Sequence, residues 1–389
     1  MTIDASRDAS GAQRRIRLGM VGGGEGAFIG AVHRIAARLD DHYELVAGAL
    51  SSQPDRALRS AEALGLARAY PDYRTMAREE AARADGIEAV AIVTPNDQHA
   101  PAAEAFLRAG IHVICDKPVT TTLADARRLQ ALAQETGRLF AVTHNYTGYP
   151  MVRHARQLVR DGALGELRVV QVEYAQDWLT ERLEATGQKQ AAWRTDPKRS
   201  GAGGCIGDIG THAFNLLHYV TGLKTLELAA ELSTFVAGRA LDDNVQVMLR
   251  LAGGARGSLW ASQVAPGNEN GLRLRVYGSR GGLEWAQEHP NQLRHAPFGE
   301  PVRTLARGTS AVLPDGQRVT RLPSGHPEGY LEAFATIYAE IAQAIRAVRT
   351  GGALPAGVDF PTIDDGIEGL AFIDAALRSS AEDGRWVRL

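Results

Sequence analysis

The chain has 389 residues, of which 44% are hydrophobic and 23% charged, with 43 Lys and Arg against 45 Asp and Glu. One hydrophobic core rarely serves more than about 250–300 residues, so two domains are expected. The balanced charge gives no overall field for nucleic acid, and no apolar run reaches the roughly 20 residues of a bilayer crossing, so neither nucleic acid nor membrane is expected as a partner.

Residues 1–14, within MTIDASRDASGAQRR, have no apolar stretch and read as a disordered arm rather than a secretory signal. From 15 to 146 short apolar runs alternate with segments of helical spacing. The runs fall at 16–21, 45–50, 90–93, 111–114 and 139–142. AFIGAVHRIAARL and TLADARRLQALAQETG are the clearest helices, the second with Thr122 as N-cap and Gly137 as its stop. Strands alternating with helices predict an α/β domain with a doubly wound parallel sheet covered on both faces.

After Tyr149 the rhythm changes. A helix, PMVRHARQLVRDGALG, leads into the strand candidates ELRVVQVEYAQDW, LELAAELSTFV, NVQVMLRLA, RGSLWASQV, LRLRVYGS and GGLEWAQ. Successive strands joined by Gly and Asn turns predict a large, mostly antiparallel open sheet, an α+β domain over 147–389. GYLEAFATIYAEIAQAIRAVRTG and DDGIEGLAFIDAALRSSAEDG close the chain as helices that can pack back on the first domain. An open sheet face needs a cover, so a homodimer or homotetramer is expected. Cys115 and Cys205 lack the close pairing of zinc sites. Both read as buried and reduced, which suits a cytoplasmic protein.

LGMVGGGEGAFIGAVH follows the first strand and opens the first helix, the context in which a G-x-G-x-x-G pattern binds a dinucleotide in a Rossmann domain. Gly22 and Gly24 allow a tight turn and a close approach of backbone N–H groups to a pyrophosphate at the helix N-terminus. Ala27 takes the third position, with Gly30 three residues later, and Phe28 and Ile29 begin the helix as further candidate contacts. The second strand ends at Ser51 and Ser52, where an NAD site usually has an acid that bonds the ribose hydroxyls. Arg56 follows and can pair with a 2′-phosphate, so NAD and NADP both remain open.

Two groups of residues carry chemistry. At the end of the strand over 111–114 stand Asp116 and Lys117, followed by Pro118. In WRTDPKRSGAGGCIGDIGTHAFNLLHYVTG, Asp208 and His212 lie four apart at the predicted start of a helix, on one face. Histidine suits proton exchange with a hydroxyl, and a neighbouring carboxylate can orient it. The competing reading is a capped helix with a core histidine. His218 follows, but no ligand spacing supports a metal, and none is expected.

Together these pieces resemble the Gfo/Idh/MocA oxidoreductases, a family named for glucose–fructose oxidoreductase and inositol dehydrogenase. The resemblance spans nearly the whole chain: the glycine loop, TPNDQHA, CDKP, WRTDP with the glycines, Asp208 and His212 that follow, and the terminal DDG and FIDAALRSS. In that family the strand-end tripeptide is usually Glu-Lys-Pro, and its lysine lies beside the nicotinamide and the reacting hydroxyl. The resemblance implies that role for Lys117, with Asp116 as a conservative departure from Glu at the cofactor. It implies that Asp208 is the substrate-binding acid and His212 the catalytic histidine. Thr94, Pro95, Asn96 and His99 match a loop that runs along the cofactor, although for His99 the favoured reading is a solvated residue of a capped helix.

The implied reaction is hydride transfer between a carbon-bound hydroxyl and C4 of the nicotinamide, with His212 exchanging the hydroxyl proton. Many relatives carry arginines after the last Rossmann strand. Here THNYTGYP places Tyr146 there, and His144, Asn145 and Tyr146 suit neutral hydroxyls. Trp193 and Arg194 are candidate substrate contacts, Trp178 and Trp193 by stacking on a sugar ring. His326, in LPSGHPEGY, either faces the substrate or belongs to a turn. The expectation is an NAD(P)-dependent dehydrogenase of a neutral cyclic polyol or sugar, inositol-like or pyranose-like. The alternatives are a keto-sugar reductase and a catalytically silent nucleotide-sensing regulator of the same fold.

Overall fold

Among the residues described by the computed structural model, 14–389, six parallel strands form the first sheet. They are β1 (Ile16–Gly22), β2 (Tyr43–Ala49), β3 (Arg68–Ala69), β4 (Ala89–Val93), β5 (His112–Cys115) and β6 (Phe140–Val142). Their spatial order is β3-β2-β1-β4-β5-β6. β1, β4, β5 and β6 are almost wholly buried, as their unbroken apolar sequences require when helices cover both faces. The order reverses between β1 and β4, which opens a crevice at the carboxyl ends of these strands. The arm expected over 1–14 lies outside the described residues except for Arg14, which pairs with Glu88.

The second sheet has nine strands: β7 (Leu167–Ala175), β8 (Thr225–Ser233), β9 (Asn244–Leu251), β10 (Arg256–Ser262), β11 (Gly271–Gly278), β12 (Gly281–Ala286), β13 (Gln292–Pro297), β14 (Arg303–Ala306) and β15 (Val387–Arg388). Their order is β14-β13-β12-β11-β7-β10-β9-β8-β15, antiparallel throughout except for the central β7–β10 pair. The short strands β3, β13, β14 and β15 escape a sequence reading because none has an apolar alternation of its own. They form where a neighbour's free edge offers hydrogen bonds.

One face of this sheet buries Val170, Val172, Leu259 and Val276 against helices. The other stays open. It shows Val169, Met248 and Tyr277, beside a cross-strand ladder in which Glu173 and Glu284 pair with Arg273 and Arg275.

The two closing helices fasten the sheets together. Tyr330–Thr350 lies along the first helix, Phe28–Leu39, where the Tyr338 hydroxyl meets His33 Nδ1 at 2.8 Å and the Tyr43 hydroxyl donates to the Tyr338 carbonyl. Ile363–Ala381 packs on β8 and on the helix Leu123–Thr136. Buried Arg153 donates to Glu340, to the Thr147 carbonyl and to the Asp359 carbonyl, tying the turn after β6 to both closing segments. That turn, Asn145–Gly148, touches the helix Tyr330–Thr350 so closely that a Cβ on Gly148 would sit 2.1 Å from the Ala333 carbonyl oxygen. Neither backbone can give way cheaply. Gly148→Ala is therefore expected to destabilise the protein by about 1–3 kcal/mol, read as a lower urea midpoint.

Candidate active site

A cleft of about 1160 Å³ runs from the glycine loop, past the ends of β1, β4 and β5, to the helix that carries His212. Each predicted site residue lines it except His99, His144 and His326.

At one end, Gly22 turns the chain with φ of +77°, a conformation that a side chain would strain. The third close-packing glycine is Gly30 rather than Ala27. Ala27 is the N-cap of the helix Phe28–Leu39, whereas a Cβ on Gly30 would lie 2.3 Å from the Gly23 carbonyl oxygen. No side chain caps this helix, so its first-turn N–H groups remain available to an anion. A glycine turn, a free helix N-terminus and a long cleft beyond them fit a dinucleotide. Ser51, Ser52 and Arg56 line the same end, and Arg56 donates to the Glu25 carbonyl at 2.7 Å.

Farther along, Thr94, Pro95 and Asn96 form one wall, with Asn96 donating to the Ser200 carbonyl. Asp116 and Lys117, at the end of the neighbouring strand β5, line the cleft beside them. The Asp116 carboxylate accepts from the Lys117 backbone N–H and from the Thr143 hydroxyl. His99 is neither solvated nor in the cleft. It is fully buried, and its ring reaches the Thr94 and Pro118 carbonyls.

The centre of the cleft is an ion pair. Lys117 Nζ lies 2.9 Å from Asp208 Oδ1 and also donates to the Asp208 backbone carbonyl. Oδ2 accepts from Gln263 Nε2 at 2.8 Å and faces Arg194 Nε at 3.5 Å. Burial pushes the Asp208 carboxyl up, but Lys117 and Arg194 hold it well below the usual carboxylate range. It is therefore ionised at neutral pH.

The chain at Asp208 is not the start of a regular helix. Ile206–Gly210 forms a wide turn, in which the Thr211 N–H bonds the Ile206 carbonyl five residues back, before the helix Thr211–Thr221 continues. Asp242, not Asp208, caps the segment: its carboxylate accepts from the Gly204 and Ile206 N–H groups at 2.6 and 2.8 Å. Gly204 has no room for a side chain, since a Cβ would lie 2.3 Å from the Asp242 carbonyl oxygen. Relieved of capping, the Asp208 side chain turns to Lys117.

His212 follows on the same segment. Burial holds its pKa well below the ordinary 6.5, helped by Lys117 and His144 and opposed by Asp208. The ring is therefore neutral, with a lone pair available to accept a proton. Its walls are aromatic: Tyr146 meets it edge-on at 4.9 Å between ring centroids and His144 at 5.5 Å.

The Tyr146 and Tyr174 hydroxyls are 2.5 Å apart, and Tyr174 donates onward to Asn270. Asn145 keeps a buried amide N–H₂ with no partner, in a residue that lines the cleft. Trp178 and Trp193 both line this end, and the Arg194 guanidinium stacks over Trp193 at 4.3 Å.

His326 stands on the surface, where its backbone N–H donates to the Pro323 carbonyl and its own carbonyl accepts from Arg307. The reason is buried Glu328, which bonds Arg307 and the Arg321 and Leu322 N–H groups and turns the loop outward. From that stretch Tyr330 reaches the cleft instead. His218 bonds Thr225 away from the cleft. Among the described residues no three His, Cys, Asp or Glu side chains group as metal ligands.

Sequence reasoning missed Tyr174, Gln176, Asn270 and Gln287, all cleft residues. They come from β7 and from loops of the second sheet. Only the alternation that turns Tyr174 to the same face as Val170 and Val172 carried any signal.

Comparison with known proteins places the chain among oxidoreductases. Residues 16–144 match the family model described as "Oxidoreductase family, NAD-binding Rossmann fold", and 152–284 match the GFO/IDH/MocA C-terminal domain. An uncharacterised oxidoreductase of Bacillus subtilis, YfiI, is 37% identical over 96% of each chain. The levoglucosan dehydrogenase of Pseudarthrobacter phenanthrenivorans is 27% identical over 96% of this chain and 98% of its own.

Two solved structures are similar over nearly their whole length. An oxidoreductase from Sinorhizobium meliloti is 57% identical, with a TM-score of 0.88, over 96% of this chain and all of its own. An inositol dehydrogenase homologue from Azotobacter vinelandii, complexed with NADH and myo-inositol, is 39% identical, with a TM-score of 0.91, over 97% and 98%.

Gly30→Ala is expected to push the glycine loop off its helix and weaken dinucleotide binding by about tenfold or more in a fluorescence titration. Unchanged affinity would show that the contact with Gly23 does not shape the site.

Proposed function

The chain belongs to the Gfo/Idh/MocA oxidoreductase family, and from that premise we propose that it is an NAD-dependent dehydrogenase of a neutral cyclic polyol or sugar. The observation that carries this reading is the Lys117–Asp208 ion pair beside a buried, neutral His212, at the end of a dinucleotide-shaped cleft.

A nicotinamide held in the cleft would supply the hydride acceptor. Lys117 donates to the substrate oxygen and offsets the negative charge that develops there as the C–H bond breaks. Asp208 keeps Lys117 aimed, and His212 accepts the hydroxyl proton. Asn145 and Asn270 offer uncharged groups to further hydroxyls, and the Trp178 and Trp193 rings suit the faces of a cyclic substrate.

Neither Ser51 nor Ser52 would repel a 2′-phosphate, so NADP is the second cofactor to assay. The same residues run the reverse reduction of a keto-sugar. A silent regulator has no need of both Lys117 and His212, yet both stand in the cleft. Buried, unpaired Cys115 and Cys205 favour a cytoplasmic enzyme, and the open sheet face favours a homodimer or homotetramer. Among the described residues no helix is long and apolar enough to cross a membrane.

Nicotinamide absorbance, followed with NAD or NADP and a panel of myo-inositol, scyllo-inositol, glucose, xylose, galactose and levoglucosan, tests the reading. Turnover of a cyclic polyol or sugar is expected. Lys117→Ala should lower kcat by roughly 10²–10³-fold while NAD binding survives. Nucleotide binding without turnover of any of these substrates would favour the regulator.

The pH profile is a second check. Because folding lowers the His212 pKa, the base stays unprotonated as pH falls through 6.5. The acid limb of kcat/KM for hydroxyl oxidation is therefore expected below 6.5, and a limb at or above that value would contradict the role given to His212.

A further inference from the structure

His99 lies beneath the cleft floor and takes no part in the chemistry above. Its spacing in TPNDQHA lets the ring fold back over its own turn. Nε2 lies 2.9 Å from the Thr94 carbonyl oxygen, and Nδ1 lies 2.8 Å from the carbonyl oxygen of Pro118, the residue after Lys117. A carbonyl oxygen has no proton to give. A neutral imidazole has one N–H and one lone pair, so either tautomer would set a bare nitrogen against a carbonyl lone pair at hydrogen-bond distance. Turning the ring over would point carbons at both oxygens. Both contacts are hydrogen bonds only when both nitrogens carry protons.

We propose that His99 is a buried imidazolium and a positioning residue, a clamp that holds the loop after β4 against the loop after β5. Thr94, Pro95 and Asn96 form the wall on one side of the clamp, and Asp116 and Lys117 the wall on the other. The clamp fixes the distance between the wall that flanks the nicotinamide and the lysine that meets the substrate oxygen.

Burial is the largest influence on His99 and holds its pKa below the ordinary 6.5, against Asp116, the two carbonyls and Asp97, which favour the second proton. The hydrogen-bond geometry decides the balance, because losing the proton leaves one loop repelled from the ring rather than bonded to it. Asp116 then acts twice, since its carboxylate fixes the Lys117 backbone and also supplies the counter-charge to the clamp.

Neutron diffraction from crystals of the full-length enzyme at neutral pH tests the charge state without any substrate, so its outcome is independent of the proposed reaction. Deuterium on both Nδ1 and Nε2 of His99 is expected. A bare nitrogen on either side overturns the imidazolium.

The kinetic arm rests on the dehydrogenase reading and uses His99→Gln, whose single amide cannot donate to both carbonyls in this geometry. A fall in kcat and kcat/KM together, on the order of tenfold to a hundredfold, is expected, with NAD affinity and the urea midpoint nearly unchanged. Unaltered kcat overturns the positioning role. So does a fall in kcat matched by loss of NAD affinity and of stability, which would mark the residue as structural only.

Discussion

The Lys117–Asp208 ion pair joins two parts of the chain built on different rules. Lys117 stands where a buried parallel strand stops, and Asp208 stands on a wide turn that enters a helix packed on the second sheet. Side-chain exposures of 13% and 20% put the pair between solvent and interior, where charges attract strongly yet remain open to a ligand. Such a pair contributes little net stability, because desolvation offsets much of the attraction. What it supplies is orientation: an ammonium group held by two oxygens of one residue in the cleft.

Everything nearby serves that geometry. Asp242 takes over the capping of the Gly204–Ile206 segment, so Asp208 is left to the lysine. Gln263 and Arg194 hold the second carboxylate oxygen, which stops the side chain from rotating away. Lys117 and Arg194 keep Asp208 charged against the pull of burial, whereas burial, with Lys117 and His144, holds the His212 pKa down. Farther out, the closing helices fasten the first sheet to the second through Arg153, Tyr338 and the close contact at Gly148. The cleft therefore has walls that belong to one packed body, and a continuous core runs beneath it from Phe106 to Leu259.

Much of this was legible in advance, and for a physical reason in each case. Strands buried on both faces must be apolar throughout, so β1, β4 and β5 stand out of the sequence. Helices half-covered by a core repeat their apolar residues at helical spacing, and the two closing helices show it. The glycine loop reads correctly because only glycine tolerates its turn, although the close-packing position proved to be Gly30. Lys117, Asp208 and His212 stood out because charge at an apolar strand end and an acid four residues before a histidine are unusual patterns. His99 and His326 misled because a histidine carries no mark of where its ring points. One is buried between two carbonyls and the other faces solvent.

By itself the sequence determined the long strands of the two sheets, their main helices and the residue types suited to holding a dinucleotide and exchanging a proton, since periodicity and glycine placement depend on local sterics and burial. Only the tertiary structure decided which side chains meet. Tyr174, Asn270 and Gln287 reach the cleft of His212 and Lys117 from strands and loops distant in the chain, and no local pattern encodes contacts across such separations. Packing also sets the direction of each pKa shift, because burial and the charges brought against a histidine decide it.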